Sequence, residues 1–138
     1  MEVSVTVQPQ TFNFGVPWES LYGYSQALRA GDTVYVSGQL SHDMDGNFIG
    51  AGDFELQLNT TLANLDRVLD HFGASRTQIV ETTVLVRNLR DNFDTLARLH
   101  LAYVGDHRPT STVLGVSDLA LPEQLVELGA VVRLDLPA

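Results

Sequence analysis

The chain has 138 residues, 44% of them apolar, which is the size and composition of one folded domain. It carries 17 acidic and 8 basic residues, a formal charge of -9, and the basic residues are arginines without a cluster, so nucleic-acid binding is disfavoured. No apolar run is long enough for a membrane helix and the start lacks the features of an export signal, so we expect a cytoplasmic protein with no membrane contact.

The first half of the chain predicts strands followed by a long helix. A lead-in that includes a strand occupies residues 1–16, and extended runs at residues 24–29 and 33–40 predict a hairpin. Between residues 53 and 72 the apolar residues recur at spacings of three and four. This spacing predicts one long helix that ends at Gly73.

The second half of the chain again predicts strands and a helix. A strand is predicted at residues 79–86, and Asp91 or Asn92 can cap a second helix that ends at Gly105. Strands at residues 111–116 and 125–134 complete the chain. This order predicts an α+β fold, a two-layer sandwich with two helices on one face of a mixed sheet.

Strand alternation divides the strand residues between the helix side of the sheet and a second face. The helix side is expected to carry Val34, Val36, Thr112, Leu114, Val116, Val126, Leu128, Ala130, Val132 and Leu134. The second face is expected to carry Tyr24, Tyr35, Ser37, Ser111, Val113, Gly115, Glu127, Gly129, Val131 and Arg133. Its mixed polarity fits a subunit interface that holds a small ligand, and a solvated face with some subunit contacts is the alternative.

Four motifs, taken in order, carry a family resemblance. They are Tyr24-Ser-Gln-Ala-Leu28, Val34-Tyr-Val-Ser-Gly-Gln-Leu40, Arg108-Pro-Thr-Ser-Thr-Val-Leu-Gly-Val116 and Pro122-Glu-Gln-Leu-Val-Glu-Leu-Gly-Ala130. Together they resemble the Rid (RidA/YjgF/UK114) family, many of whose members are enamine or imine deaminases. The resemblance covers residues 17–134 of a single domain, 1–138. It implies a chorismate-mutase-like fold, a homotrimer, no cofactor, and a small-metabolite site in the cleft between subunits.

The resemblance also implies roles for individual residues. Glu127 corresponds to a glutamate that holds or activates the attacking water, and Tyr24 to a tyrosine that packs over the ligand. Substrate contacts are expected at Ser37, Arg108, Ser111 and Val113. Two alternatives stay open: Tyr24 as an interface aromatic, and Glu127 in an inter-subunit ion pair with an arginine such as Arg87 or Arg133.

Two positions depart from the deaminating pattern. Ser111 stands where deaminating members carry a carboxylate-binding arginine, and Ala97 stands where they carry an asparagine. A serine cannot form a two-pronged ion pair with a carboxylate. The substrate would therefore be one that needs no such clamp, or one held by another residue such as Arg108.

The remaining chemistry-bearing residues predict no metal site. The four histidines fall in different elements without a metal-ligand spacing, and the chain has no cysteine. Three functions stay open: a cofactor-independent hydrolase of C=N bonds, a non-catalytic metabolite-binding or regulatory trimer, and a scaffold with a vestigial cleft.

Overall fold

A computed structural model describes residues 8–138 as one mixed six-stranded sheet with helices on one face. The elements in chain order are β1 Gln10–Phe12, α1 Pro17–Tyr22, β2 Ala27–Ala30, β3 Thr33–Gln39, α2 Phe54–His71, β4 Ile79–Val86, α3 Leu89–Val104, β5 Thr110–Gly115 and β6 Val126–Arg133. The strand order is β1-β2-β3-β6-β4-β5, and only β4 and β5 run parallel. The predicted α+β class and mixed sheet are confirmed.

The long helix α2 forms where the spacing of apolar residues predicts it. The Asp53 side chain caps its start by accepting a hydrogen bond from the Leu56 N–H at 3.0 Å. Gly73 follows its end with a φ of 64°, a conformation that glycine adopts without strain. The inward face of α2 packs against β3 and β6 and supplies the centre of the core.

Helix α3 begins earlier than predicted. Its first residue is Leu89, and Asn88 precedes it in the left-handed region with a φ of 55°. The predicted caps Asp91 and Asn92 lie inside the helix, and the Asn92 amide donates back to the carbonyl oxygens of Arg87 and Asn88. Helix α3 therefore starts without the side-chain cap that the sequence predicted, and Asn92 binds carbonyl oxygens instead of the free N–H groups of the first turn.

The N-terminal segment contains a short helix, α1, that the periodicity does not reveal because it spans only six residues. The Glu19 carboxylate holds this segment in place by accepting hydrogen bonds from the N–H groups of Phe14 and Gly15, both at 2.9 Å. The strand predicted from residue 24 begins only at Ala27, since the chain is still turning away from α1 at Tyr24. Of the predicted lead-in, residues 1–7 lie outside the described residues.

The alternation predicted for β3 and β6 is confirmed. Val34 and Val132 are fully buried against the helices, whereas Tyr35 on the opposite face is 54% exposed. The face turned away from the helices also exposes Leu28 and Leu114 and carries the partly buried Val131, and we call it the open sheet face.

The alternation predicted for β5 is wrong. In a parallel pair, residues in register share a face, and Ser111 is in register with the buried Thr82 and Val113 with the buried Val84. Ser111 and Val113 therefore lie on the helix side, and Leu114 lies on the open sheet face, 50% exposed. Apolar residues on both faces of this edge strand make its phase ambiguous, and a one-residue change in phase exchanges the faces.

A β-bulge interrupts β3 between Val36 and Gln39, where its register with β6 shifts. The glycine of Ser37-Gly38-Gln39 predicts either a bulge or a close approach of the backbone at this point of the strand. The two residues of the irregularity are Ser37 and Gly38. Bulges redirect side chains and bend a strand, so this one determines how the end of β3 faces β6.

Both long helices are tied to the turn before β4 by one polar cluster. The Tyr103 hydroxyl donates to Asp66 at 2.8 Å, Arg76 pairs with the same carboxylate, and the Arg76 guanidinium lies 4.0 Å from the Tyr103 ring centroid.

None of the helices in residues 8–138 is both long and apolar enough to span a bilayer.

We expect Tyr103→Phe to lower the free energy of unfolding by about 1 kcal/mol, because it removes the hydrogen bond to Asp66 and retains the buried ring. Urea denaturation followed by circular dichroism measures the change. Tyr22→Phe is the matched control, since Tyr22 is 85% exposed. Equal stabilities for Tyr103→Phe and the wild-type protein would show that the cluster does not stabilise the fold.

Candidate active site

Three of the residues predicted for the site, Tyr24, Ser37 and Glu127, line one pocket of about 500 Å³. It lies where the bulged end of β3 and the start of β6 face α1. The whole lining consists of Trp18, Tyr22, Tyr24, Ser37, Gly38, Leu40, Ala120, Leu121 and Glu127. The pocket is therefore mostly apolar and contains one carboxylate.

Glu127 is the only ionisable carboxylate of this lining. It is half-buried on β6, and burial raises its pKa above the usual carboxyl value, partly opposed by the Gln124 amide. The two arginines considered as its ion-pair partners are engaged elsewhere in the chain, Arg133 with Asp135 and Arg87 with the carbonyl oxygen of Pro122. The pair across subunits stays a prediction.

Gly38 allows the Glu127 side chain to lie against the backbone of β3. A Cβ atom built on Gly38 would lie 2.6 Å from Glu127 Oε2 and closer still to Cδ and Cγ. Any other residue at position 38 would displace the carboxyl group. The expectation that Gly38 permits a close approach or a bulge is confirmed in both respects.

A chain of amides positions the Tyr24 hydroxyl. The Gln39 side-chain amide donates to Gln26 at 2.9 Å, and the Gln26 amide donates to the Tyr24 oxygen at 3.2 Å. Because Gln26 supplies the hydrogen of that bond, the phenolic hydrogen of Tyr24 is available to a ligand. Burial raises the pKa of Tyr24, so the phenol stays protonated at neutral pH.

Ser37 has a more limited capacity to form hydrogen bonds with a ligand. Its hydroxyl donates to the carbonyl oxygen of Ser25 at 2.7 Å, and its N–H donates to the Gln26 carbonyl at 2.8 Å. The hydroxyl hydrogen is thus committed, and only the oxygen lone pairs can face a ligand.

The other predicted substrate residues, Arg108, Ser111 and Val113, lie in a separate groove of about 240 Å³ between α3 and β5. Ala97, on α3, lines the same groove as Ser111, on β5. The predicted grouping of Ser111 and Val113 with Glu127 on one sheet face is therefore wrong within a single chain, because the register of β5 turns them to the helix side. The protein presents two separate half-sites, which we call the carboxylate pocket and the α3/β5 groove.

The sequence assigns no site role to the amides Gln26 and Gln39, and it leaves Trp18 with two alternatives, at the mouth of the cleft or over an edge of the core. Trp18 reaches the pocket because α1 exists, and its ring packs edge-on against buried His42 at 5.2 Å between centroids. A proline at the first turn of α1 is the signal that could have revealed this helix. No signal marks the amides, since glutamines in strand-like segments are common on surfaces.

Within residues 8–138, no cluster of three or more histidine, cysteine or carboxylate side chains has the geometry to hold a metal ion.

The mixed six-stranded sheet with helices on one face places the chain in a class of small α+β proteins, and comparisons with known proteins identify the class. The chain belongs to the Rid (YjgF/RidA) family, whose family model, described as Endoribonuclease L-PSP, matches residues 17–134.

Individual relatives agree with this assignment. The chain is 31% identical to a RutC family protein of Pyrococcus abyssi, over 78% of this chain and 84% of the relative. It is 30% identical to the human 2-iminobutanoate/2-iminopropanoate deaminase, over 78% of this chain and 77% of that protein. A crystal structure of a YjgF/YER057c/UK114 family member from Mycobacterium tuberculosis superposes with a TM-score of 0.81 at 26% identity, covering 91% of this chain and 99% of that one.

Proposed function

We propose that this protein is a cofactor-independent hydrolase that converts a small imine or enamine to a carbonyl compound and ammonia. The observation that carries the proposal is the half-buried Glu127 carboxylate, with its raised pKa, in an apolar pocket beside the free Tyr24 hydroxyl hydrogen. A carboxylate is a more effective base when its pKa is closer to the working pH. The similarity to a protein named as an imine deaminase supports the same reaction class.

The residues of the pocket suggest how water would add to the C=N bond. Glu127 accepts a proton from water while the water oxygen bonds to the imine carbon, the π electrons move to nitrogen, and Glu127 then gives the same proton to that nitrogen. Tyr24 donates a hydrogen bond that orients the substrate. As the amino alcohol collapses, its hydroxyl proton passes through Glu127 to the nitrogen, the C–N bond breaks, the carbonyl group forms and ammonia leaves.

The complete site would combine the carboxylate pocket of one subunit with the α3/β5 groove of another in a homotrimer. The open sheet face supports this assembly, since it exposes Tyr35 by 54% and Leu114 by 50% in a single chain. Both half-sites are shallow and open in the single chain, and apposition would exclude water from them. A metabolite bound between subunits would then contact residues of both half-sites.

We expect sedimentation equilibrium at micromolar concentration to give about three times the 15.1 kDa chain mass. Tyr35→Asp should shift the protein towards the monomer, because it places a charge in the centre of the apolar interface. Leu136→Asp is the control outside the sheet. A wild-type monomer at these concentrations would contradict both the trimer and the composite site.

RNA cleavage is not the function that we propose, although the family model bears an endoribonuclease description. The formal charge is -9, and three of the eight basic residues are engaged in ion pairs: Arg76 with Asp66, Arg98 with Glu55 and Arg133 with Asp135. Phosphate binding requires concentrated positive charge.

The decisive experiment measures ammonia release by the purified protein from imines generated in situ. A hydrolase accelerates release in proportion to its concentration. A metabolite-binding trimer without turnover would instead show only thermal stabilisation that grows with the logarithm of ligand concentration. One observation favours that second function: position 111 is a serine, where the deaminating members of the family carry an arginine.

We expect the wild-type protein to be slow on 2-iminopropanoate and Ser111→Arg to raise kcat/KM by roughly one to two orders of magnitude, because a charged hydrogen bond contributes about 1.5–3 kcal/mol. Ser111 is exposed at the groove, so an arginine has room. Ammonia formation measures the effect, and Ser111→Gln is the uncharged control of similar length. A wild-type rate equal to that of Ser111→Arg would contradict the expectation.

A further inference from the structure

A hydrogen-bonded chain of three side chains lies at the α3/β5 groove. His100 Nε2 on α3 lies 3.0 Å from the Thr82 hydroxyl oxygen on β4, and the Thr82 hydroxyl donates to Ser111 Oγ on β5 at 2.8 Å. Thr82 is 1% exposed, whereas Ser111 is exposed at the groove. The chain therefore connects a half-buried imidazole to a hydroxyl that a ligand can reach.

The direction of these bonds follows from counting hydrogens. A hydroxyl has one hydrogen, and Thr82 gives it to Ser111. The His100 Nε2 atom must therefore donate to Thr82, which requires the tautomer that carries the hydrogen on Nε2. Ser111 accepts a hydrogen bond and keeps its own hydrogen for the groove, and successive bonds in such a chain strengthen one another.

The surroundings of the Ser111 hydroxyl are apolar and carry little charge. The lining includes Phe93 and Leu101, which are 48% and 52% exposed in the single chain. Burial lowers the pKa of His100, so the imidazole is neutral at neutral pH. The cation of the groove, Arg108, is exposed at its rim and donates through Nε to the Gly105 carbonyl oxygen at 3.3 Å.

We propose that Ser111, positioned through Thr82 by His100, binds a neutral carbonyl oxygen of the substrate, so that the substrate is an uncharged imine such as an α-imino amide or ester. In the assembled site a charged carboxylate held at Ser111 would lose its hydration and receive one neutral hydrogen bond in return, which is unfavourable, because Arg108 lies at the exposed rim and its Nε binds the Gly105 carbonyl oxygen. An amide oxygen is satisfied by one or two neutral donors. The small apolar remainder of such a substrate fits beside Phe93 and Leu101. The inference rests on the proposed function for the reaction and concerns only the substrate class.

Binding of keto products tests the substrate class without requiring turnover. The probes are 2-oxobutanamide and 2-oxobutanoate, which share a carbon skeleton and differ in charge. Calorimetric titration of the whole protein at neutral pH should show the amide binding about tenfold more tightly than the acid. Ser111→Ala and Thr82→Val should each weaken amide binding by about five- to tenfold, and Thr82→Ser should restore it because the hydroxyl returns.

His71→Asn is the matched control, since His71 lies on α2 away from the groove and should leave both affinities unchanged. Thermal melts of each variant separate loss of binding from loss of folding, and Ser111→Ala on the exposed edge strand is expected to fold normally. Tighter binding of the acid, abolished by Arg108→Gln, would overturn the proposal and assign recognition to Arg108. Amide affinity unchanged in Ser111→Ala would overturn it as well.

The titration and the ammonia assay together distinguish the proposed substrate class from the proposed reaction. If the amide binds selectively through Ser111 and the matching imine releases no ammonia above the uncatalysed rate, the hydrolase is wrong and the recognition stands. If ammonia is released but the acid imine is the better substrate, the hydrolase stands and the neutral substrate class is wrong.

Discussion

Glu127→Gln should lower kcat/KM for imine hydrolysis by about two to four orders of magnitude, the usual contribution of a positioned general base. Glutamine retains the size of the side chain and its fit over Gly38, so the loss would come from the missing proton acceptor. Ammonia release under single-turnover conditions measures the chemical step.

Two further measurements test the role of Glu127 as a base. Because burial raises the pKa of Glu127 and the base must be ionised, wild-type kcat/KM should increase with pH through a value above the usual carboxyl pKa and then level off. The raised pKa also means that ionised Glu127 destabilises the folded state at pH values above it. Glu127→Gln should therefore unfold at the same or a higher urea concentration than the wild-type protein at neutral pH.

A Glu127→Gln variant that keeps more than a third of wild-type activity would exclude Glu127 as the base. A variant that loses activity and stability together would point instead to a structural role. Glu123→Gln serves as the control, since Glu123 lies on the surface before β6 and outside the carboxylate pocket.

Gly38→Ala should lower kcat/KM by about two orders of magnitude, since a displacement of about 1 Å at a reacting group has effects of that size. The added methyl group overlaps the Glu127 carboxyl group, which must move away from the water that it would activate. The variant should also be less stable, because the side chain can escape the overlap only by leaving its packed position.

A double-mutant cycle identifies the cause. In a Glu127→Ala background the overlap disappears, so adding Gly38→Ala should produce almost no further loss of activity or stability. Additive effects of the two substitutions would show that Gly38 acts independently of Glu127, for example through the bulge in β3. Kinetics and urea denaturation on the four proteins of the cycle provide both comparisons.

Much of the fold could be predicted because its signals are periodic. The apolar stripe of α2 and the alternation of β6 extend over whole elements, so errors at single residues do not change the result. The short helix α1 and the start of α3 lack side-chain caps, so no capping residue marks them in the sequence. The side chains of Glu19 and Asn92 instead bind backbone atoms of nearby residues that the sequence does not pair with them.

The site was less predictable because it depends on register. Glu127 and Tyr24 were found through motifs that follow one another in the chain, and they do lie together. Ser111 was assigned to the same sheet face because Leu114 and Val116 look like core residues, but pairing with β4 decides the face. The link between His100, Thr82 and Ser111 joins three elements and has no local pattern at all.

The positions of the two half-sites in the sheet affect how easily each can change. Glu127 stands on β6, which has β3 on one side and β4 on the other, so substitutions there disturb hydrogen-bonded neighbours in both directions. Ser111 stands on β5, one of the two edge strands, which among the described residues pairs with β4 alone. The residue that would select the substrate is thus carried by an edge strand of the sheet and the residue that would perform the chemistry by an interior strand. Such a division lets a lineage acquire new specificities by substitutions at the edge while the reaction itself is preserved.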